Sequence, residues 1–466
     1  MTLGDSDWAK LRRSIDGVVV RANAPDYDDL RKPTMVRFQA IRPEAVVRCT
    51  SPEDVAATIA FAKRHRFEMA VRSGGHSVAG SSSTTGIVLD VTPMNGVSID
   101  GELATVGAGA RLGPLEDALE PSGRTIPAGS SHSVGIAGLT LGGGLGVLGR
   151  RYGLTSDHLL SAQVVLADGR IVGCDEQQHA DLFWALRGAG GGSLGVVTSL
   201  VFRTVRAPGT TVFHLVWPFD RAVGLVEVWQ AWVMDAPDEL DATLRLHVAG
   251  DGAETTADVF GAVVGTDVDT VGLLDDFVAR VRAEPASTSV RHLSYREAKR
   301  ALDDLPPHQD ARAEPRRPAS ASAEHLFTKS EFFRGPLPAD AIATLVAGLL
   351  EAPAGAELRE VAFLPWGGAY NRVPADDTAF VHRDERFLIQ HLVSFDPEIH
   401  ATGGRSARAW LARSWGIVHP WGSGGVYPNF PDPDVADAYT YYGRNTDRVL
   451  RVKAGYDPDG FFPGLR

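Results

Sequence analysis

The spacing of apolar and polar positions changes several times along the chain, and each change marks an element. IRPEAVVRC has the β-branched character of a strand. SPEDVAATIAFAKRHR then repeats apolar residues at helical spacing behind Ser51, Pro52 and Glu53, which form a helix start, and MAVRSGG returns to strand. With GIVLDVTPM, a strand ending at a proline, residues 41–92 read as a compact α/β unit. VSIDGELATVGAGARLG predicts a hairpin with an Asp-Gly turn, GPLEDALEPSG a helix, and AQVVLADGRIVGC a second hairpin turned by Asp168 and Gly169. The stretch LFWALRGAGGGSLGVVTSLVFRTV reads as helix, glycine loop and long strand, closing a first domain at about residue 205.

Residues 206–420 differ in pattern. Helical runs such as AVGLVEVWQAWVM and AIATLVAGLLEA alternate with strand-like LRLHVAG, ADVFGAVVG and FLIQHLVSF, a mix that suits an antiparallel sheet backed by helices. PPHQDARAEPRRPASASAEH, rich in Pro, Arg and Ala, reads as a surface loop. The tail YYGRNTDRVLRVKAGYDPDGFF is helical until Asp457-Pro458 and is expected to pack back onto the first domain. The expected fold is therefore α+β: residues 1–205 and 421–466 form one domain, interrupted by a second at 206–420.

Length and composition agree with this. A chain of 466 residues exceeds what one core usually organises, and 44% hydrophobic with 22% charged residues is a globular composition. The net charge of -12 argues against a nucleic-acid partner. No run approaches the length of a membrane span, and the N-terminal residues lack the hydrophobic core of a signal peptide, so a cytoplasmic address without membrane binding is expected. Cys49 and Cys174 have no metal-ligand spacing, and no metal site is expected.

The 50 glycines are clustered, and glycine clusters mark close backbone approach. Arg72-Ser73-Gly74-Gly75-His76-Ser77 turns tightly enough to bring an imidazole against a planar ligand or a phosphate, although alone it also fits a hydrogen-bonding loop histidine. The second cluster runs from Pro127 through Ser131, His132, Val134, Gly135 and Gly138 to Gly142, Gly143, Gly144 and Gly146. It offers a row of backbone N–H groups suited to a diphosphate or a ring carbonyl edge. Two G-x-G-x-x-G matches, Gly144 to Gly149 and Gly190 to Gly195, lack the strand-before, helix-after context of a Rossmann site, and no Walker loop is present. Tyr427-Pro428-Asn429-Phe430 is a third segment of interest, ahead of Tyr441 and Tyr442, which read as core.

Taken in order, R-S-G-G-H-S-V-A-G, V-G-I-A-G-L-T-L-G-G-G-L-G, R-Y-G-L-T-S-D, D-L-F-W-A-L-R-G, G-V-V-T and Y-P-N-F with Y-Y-G-R-N resemble the berberine bridge enzyme-like flavoproteins of the vanillyl-alcohol oxidase superfamily. The resemblance implies a PCMH-type FAD-binding domain built from the N- and C-terminal segments, with the inserted domain holding substrate. It implies one covalent bond from His76 to the 8α carbon of FAD. Ser131 stands where many members carry a second, cysteinyl attachment, and Ser193-Leu194 stands where relatives usually have Asn-Phe. Along the cofactor it places Arg72, Ser73, Gly74, Gly75, Ser77, Ser131, Val134 and Gly135, then Gly138, Gly142, Gly143, Gly144, Gly146, Asp157, Gly195, Val197, Tyr427 and Asn429.

The same resemblance implies an oxidase. Valine at position 134 matches members that admit dioxygen to the flavin, so hydride taken from an alcohol or amine of a secondary metabolite or sugar would pass to O2 as H2O2. A flavin dehydrogenase with another acceptor, or a non-redox cyclase retaining FAD structurally, are the alternatives. Gln390 would face the substrate and Tyr427 would act as catalytic base or substrate orienter. A phenol, with a reference pKa near 10, serves as base near pH 7 only beside a cation or donors that stabilise phenolate.

Overall fold

A computed structural model of the chain describes residues 5–249, 255–305, 325–351, 357–395, 403–435 and 437–463. The loop expected over residues 306–325 lies outside the described residues except for its last, His325, which opens a strand.

Local signals decide the early elements. The helix Pro52–His65 begins at Ser51, whose Oγ accepts from the Asp54 N–H at 3.2 Å, with Pro52 in the first turn where its missing N–H costs nothing. It follows the strand Ala45–Arg48 in a four-stranded sheet ordered Val18–Val20, Ala45–Arg48, Ile87–Asp90, Met69–Arg72, the last three mutually parallel. Both Asp-Gly hairpins form as read. Gly101 and Gly169 take the positive φ of their turns, and the strands Val97–Asp100, Leu103–Gly107, Leu159–Val165, Ile171–Cys174 and Val196–Arg203 make a five-stranded sheet.

One hydrophobic core joins these sheets. It takes in Trp8, Val47, Ile59, Leu89, Val106, Val164 and Phe202, and the tail residues Tyr441, Val449, Val452 and Phe462 complete it. The tail helix Thr446–Tyr456 is tied down by Lys453, whose Nζ donates to the Ser193 carbonyl at 2.6 Å and pairs with Asp457 at 2.5 Å.

A second core lies under a seven-stranded antiparallel sheet ordered Ser287–Leu293, Thr210–Pro218, Thr256–Val264, Leu240–Ala249, Leu358–Pro365, Phe387–Phe395, His325–Phe333. Side chains alternate across it. Leu244, Leu246, Val361, Phe363, Ile389 and Val393 face the helices Ala222–Asp235, Ala339–Leu350 and Gly403–Val418, against Trp229, Leu345 and Trp410. The register puts Arg245, His247, Asp258, Glu360, Gln390 and Ser330 on the other face.

That other face meets the glycine-rich segment. Leu145 packs with Phe332, Trp366, Tyr370, Phe380, Leu388 and Tyr427 at one end. Val147 packs with Val212, Phe260, Ala262, Ala298 and Leu302 at the other. Between these apolar walls the sheet presents a polar band. Among the described residues no helix is long and apolar enough to cross a membrane, and no group of His, Cys, Asp and Glu is placed to hold a metal ion.

Candidate active site

The turn after Met69–Arg72 is held from below. Arg72 is buried, and its guanidinium donates to the carbonyls of Ser82, Leu30 and Arg31 at 3.1, 2.8 and 2.8 Å, so it braces the turn with its donors committed to the chain. Ser73 donates from Oγ to the Ala108 carbonyl at 2.7 Å, and Thr34 donates to the Gly74 carbonyl at 2.9 Å. Gly75 adopts φ +73°, a left-handed conformation that glycine takes without strain. Gly74 and Gly75 are buried, yet their N–H groups donate to no acceptor among the described residues. Buried orphan donors are rare, and two in succession form a site shaped for an anion. His76 follows, half-buried, its Nε2 2.9 Å from Ser133 Oγ, which joins the two glycine clusters. Ser77 accepts the Ser81 N–H at 3.0 Å and closes the turn.

The second cluster reads differently in three dimensions than in sequence. Most of its glycines are small because protein presses on them. A Cβ on Gly74 would sit 2.2 Å from the Gly135 nitrogen, one on Gly135 2.2 Å from Ser73 Oγ, one on Gly142 2.2 Å from Asn429 Oδ1, and one on Gly146 2.1 Å from the Ala128 carbonyl. Gly138, on the short helix Ile136–Leu141, is the one of the predicted cofactor glycines whose added Cβ would meet nothing within 4 Å. Gly143 and Gly144 take φ +111° and +86°, and Gly195, at φ +152°, packs against Val164 just before Val197, a buried strand residue. Val134 is partly buried against the first core, and Ser131 accepts the Val134 N–H through its carbonyl at 3.4 Å.

Tyr427 is buried at the centre of the apolar wall. Its Oη accepts from the N–H groups of Gly144 and Leu145, both at 3.0 Å, and from Asn429 Nδ2 at 3.2 Å. Asn429 also donates to the Leu139 carbonyl at 2.8 Å, so one amide ties the helix to the phenol. Burial pushes the Tyr427 pKa up to about 12, against the pull of these three donors. The partner required for phenolate is thus present only as neutral dipoles. Tyr370 crosses the same segment, its Oη donating to the Gly146 carbonyl at 3.1 Å while its ring stacks on Trp366 at 4.2 Å.

Asp157 is engaged by protein on both oxygens. Arg383 donates to Oδ1 at 2.6 Å and to Oδ2 at 2.9 Å, and the Leu154 N–H donates to Oδ2 at 2.9 Å. Arg383 is itself buried and reaches the Tyr370 carbonyl at 2.9 Å, clamping the turn Arg151–Asp157 to the inserted segment. Gln390, half-buried on the polar band, donates to Thr328 Oγ1 at 3.2 Å and pairs across strands with Ser330, whose buried Oγ has no partner among the described residues. Beside it, Arg245 grips Asp258 bidentately at 3.0 and 2.6 Å, and His214 Nε2 reaches the same carboxylate at 2.8 Å. Arg383, Tyr370, Arg245, Asp258 and Glu360 were not among the residues expected at the site. No local pattern distinguishes them from ordinary core or strand residues.

Residues 43–175 match the FAD binding domain family, and residues 426–463 match the family described as berberine and berberine like. The FAD-linked oxidoreductase YvdP of Bacillus subtilis is 32% identical over 454 residues, covering 96% of this chain and 97% of that protein. The chain belongs to the berberine bridge enzyme-like family of FAD-linked oxidoreductases. Berberine bridge enzyme-like 4 of Arabidopsis thaliana is 28% identical, with 90% of this chain and 83% of that protein covered. Berberine bridge enzyme-like 1 of Physcomitrella patens superposes with a TM-score of 0.87 at 26% identity, covering 99% of this chain and 98% of that one. The glucooligosaccharide oxidase of Acremonium strictum shares the fold, with a TM-score of 0.87 at 24% identity and coverage of 99% and 98%.

As a berberine bridge enzyme-like protein the chain is an FAD-dependent oxidoreductase, and the fold expected from sequence is the one found. The orphan N–H pair at Gly74 and Gly75 fits the anionic diphosphate of FAD, and the open side of Gly138 fits close approach of the cofactor.

Proposed function

We propose that the protein is an oxidase that holds FAD through one covalent bond to His76, takes hydride from a C–H bond beside a hydroxyl or amine of a small polar substrate, and passes the electrons to dioxygen. The observation that carries this reading is the meeting of the two glycine clusters at His76 and Ser133, directly after two buried N–H groups without acceptors among the described residues. Bound FAD supplies the hydride acceptor; the protein supplies position and field.

Gly74 and Gly75 would receive the diphosphate, and His76 the ring end of the cofactor. The domain holding them would comprise residues 1–205 and 421–466, in keeping with the core that joins both segments, and residues 206–420 would hold the substrate. Gln390 and Ser330, on the polar band, would orient substrate by hydrogen bonds. Tyr427, fixed by three N–H donors, would act as an orienting group at the edge of the site. The Acremonium strictum enzyme is described as carrying a 6-S-cysteinyl, 8α-N1-histidyl FAD. Ser131 at the expected cysteine position leaves the histidyl link alone here.

A polar band lined by amide, hydroxyl and carboxylate groups suits a hydroxylated substrate. Val134 favours an oxidase over a dehydrogenase by leaving room for dioxygen. Acid precipitation of the purified protein should leave the yellow colour in the pellet, and mixing with glucooligosaccharides or aryl alcohols should bleach it anaerobically and release peroxide under air. Flavin in the supernatant would exclude the covalent link, and bleaching without peroxide would favour a dehydrogenase.

A further inference from the structure

The proposed mechanism leaves one group on the substrate face without a task. Glu360, on the strand Leu358–Pro365, stands opposite Leu392 on one neighbouring strand and His247 on the other, while Ala362 stands opposite Gln390. Glu360 and Gln390 are therefore diagonal neighbours on one face, about 7–8 Å apart by ordinary sheet geometry. Glu360 is only part-exposed, yet its carboxylate makes no hydrogen bond and no ion pair with any described residue.

Its surroundings make that isolation informative. Asp258, the nearby carboxylate on Thr256–Val264, is saturated by Arg245 and His214. The charged or titratable groups facing Glu360 are Arg245 and His247 from Leu240–Ala249 and Asp258 from Thr256–Val264; Phe387–Phe395 contributes Gln390 and Leu392, which do not titrate. A carboxylate withdrawn from water without a partner is costly, and such a group beside the polar Gln390 and Ser330 suits a place completed by a ligand. Burial pushes its pKa up to about 7, with Arg245 pulling down and Asp258 pushing up. The phenol of Tyr427, pushed up by burial to about 12, stays protonated near neutral pH and is not available as a base there.

We propose that Glu360 is the proton acceptor of the reaction, taking the hydroxyl proton of the substrate as hydride leaves the adjoining carbon. The inference rests on the oxidase reading above. In the step the substrate O–H and C–H bonds break and a C=O bond forms. The hydride carries both electrons to the oxidised flavin, and the proton goes to a Glu360 carboxylate oxygen and from there to solvent. A base is competent when deprotonated, so the rate should climb with pH through the Glu360 pKa and level off above it.

Anaerobic stopped flow on the holoenzyme, with glucooligosaccharides and aryl alcohols as probes, tests this together with infrared difference spectra recorded without substrate. Glu360→Gln should slow flavin reduction by about 10²–10⁴-fold and flatten its pH dependence, and Glu360→Asp should recover part of the rate. Burial pushes Asp241 up to about 7 as well, so the wild-type infrared spectra should show carboxyl absorption that disappears with midpoints near pH 7 in two components, of which Glu360→Gln removes one and Asp241→Asn the other. Asp241, the other carboxylate of this face without a partner among the described residues, sits by Arg150 at the start of its strand, and Asp241→Asn should keep the wild-type rate and the wild-type pH midpoint of flavin reduction. The proposal is overturned if Glu360→Gln keeps the wild-type rate and pH midpoint, if no carboxyl titration depends on Glu360, or if Asp241→Asn is the variant that removes the pH dependence of flavin reduction. Persistence of the carboxyl titration in a wild type whose flavin no probe reduces would overturn the oxidase reading itself.

Discussion

The two sides of the candidate site are built on opposite terms. On the glycine side the groups are backbone: N–H donors at Gly74 and Gly75 that meet no acceptor among the described residues, and N–H donors at Gly144 and Leu145 aimed at a phenol oxygen. On the sheet side they are side chains projecting from a rigid register, with Gln390, Ser330 and Glu360 on a band whose other charges are already paired. A backbone site changes only when the fold changes, whereas a side-chain band changes with every substitution. One fold can therefore keep its cofactor while its substrates vary.

The sharpest way to separate the two sides is to remove the one side chain on which the glycine side depends. His76→Ala should abolish acid-stable flavin, read as colour left in the precipitate, whereas Ser131→Ala should leave attachment unchanged. Equal retention in both variants would erase the special place of the imidazole.

The next largest effect should come from unfastening the two sides. Asp157 and Arg383 form a buried bidentate pair between them, with side-chain exposures of 9% and 2%. Arg383→Leu leaves that carboxylate without its cation and should cost about 3–5 kcal/mol of stability in urea unfolding, as for other broken buried pairs. A midpoint unchanged from wild type would show that the clamp is dispensable.

The smallest effect concerns the seam itself. Tyr427→Phe removes the acceptor of two backbone N–H groups and one amide, and an unsatisfied buried donor costs about 1–3 kcal/mol. The variant should be destabilised by about that amount. Its flavin reduction should slow less than that of Glu360→Gln, because the phenol orients and the carboxylate takes the proton. A larger kinetic loss at Tyr427 than at Glu360 would reverse the two roles.

Local rules made much of the fold legible. The Ser51 cap, the Asp168-Gly169 turn and the period-two runs of the large sheet each state their element within a few residues. The glycine clusters were legible as places of close approach but not as to what approaches. Gly135 and Gly142 accommodate Ser73 and Asn429, both protein, and Gly138 alone of that cluster opens to space. Arg72 and Asp157, expected along the cofactor, prove to be engaged by Leu30, Arg31, Ser82 and Arg383.

By itself the sequence determined which segments become strands and turns, where backbone must pass unhindered, and that an imidazole follows two glycines, because those properties depend on residues within one turn or one strand. The tertiary structure alone decided that Arg383 reaches an aspartate 226 residues away, that Tyr427 receives the N–H groups of Gly144 and Leu145, and that Glu360 stands beside Gln390 unpaired by any described residue. Pairing and desolvation are set by what the rest of the chain brings near a group. In LREVAFLP that glutamate has the spacing of a solvent-facing position, and only the sheet packed against the glycine segment makes it a partly buried carboxylate without a partner among the described residues.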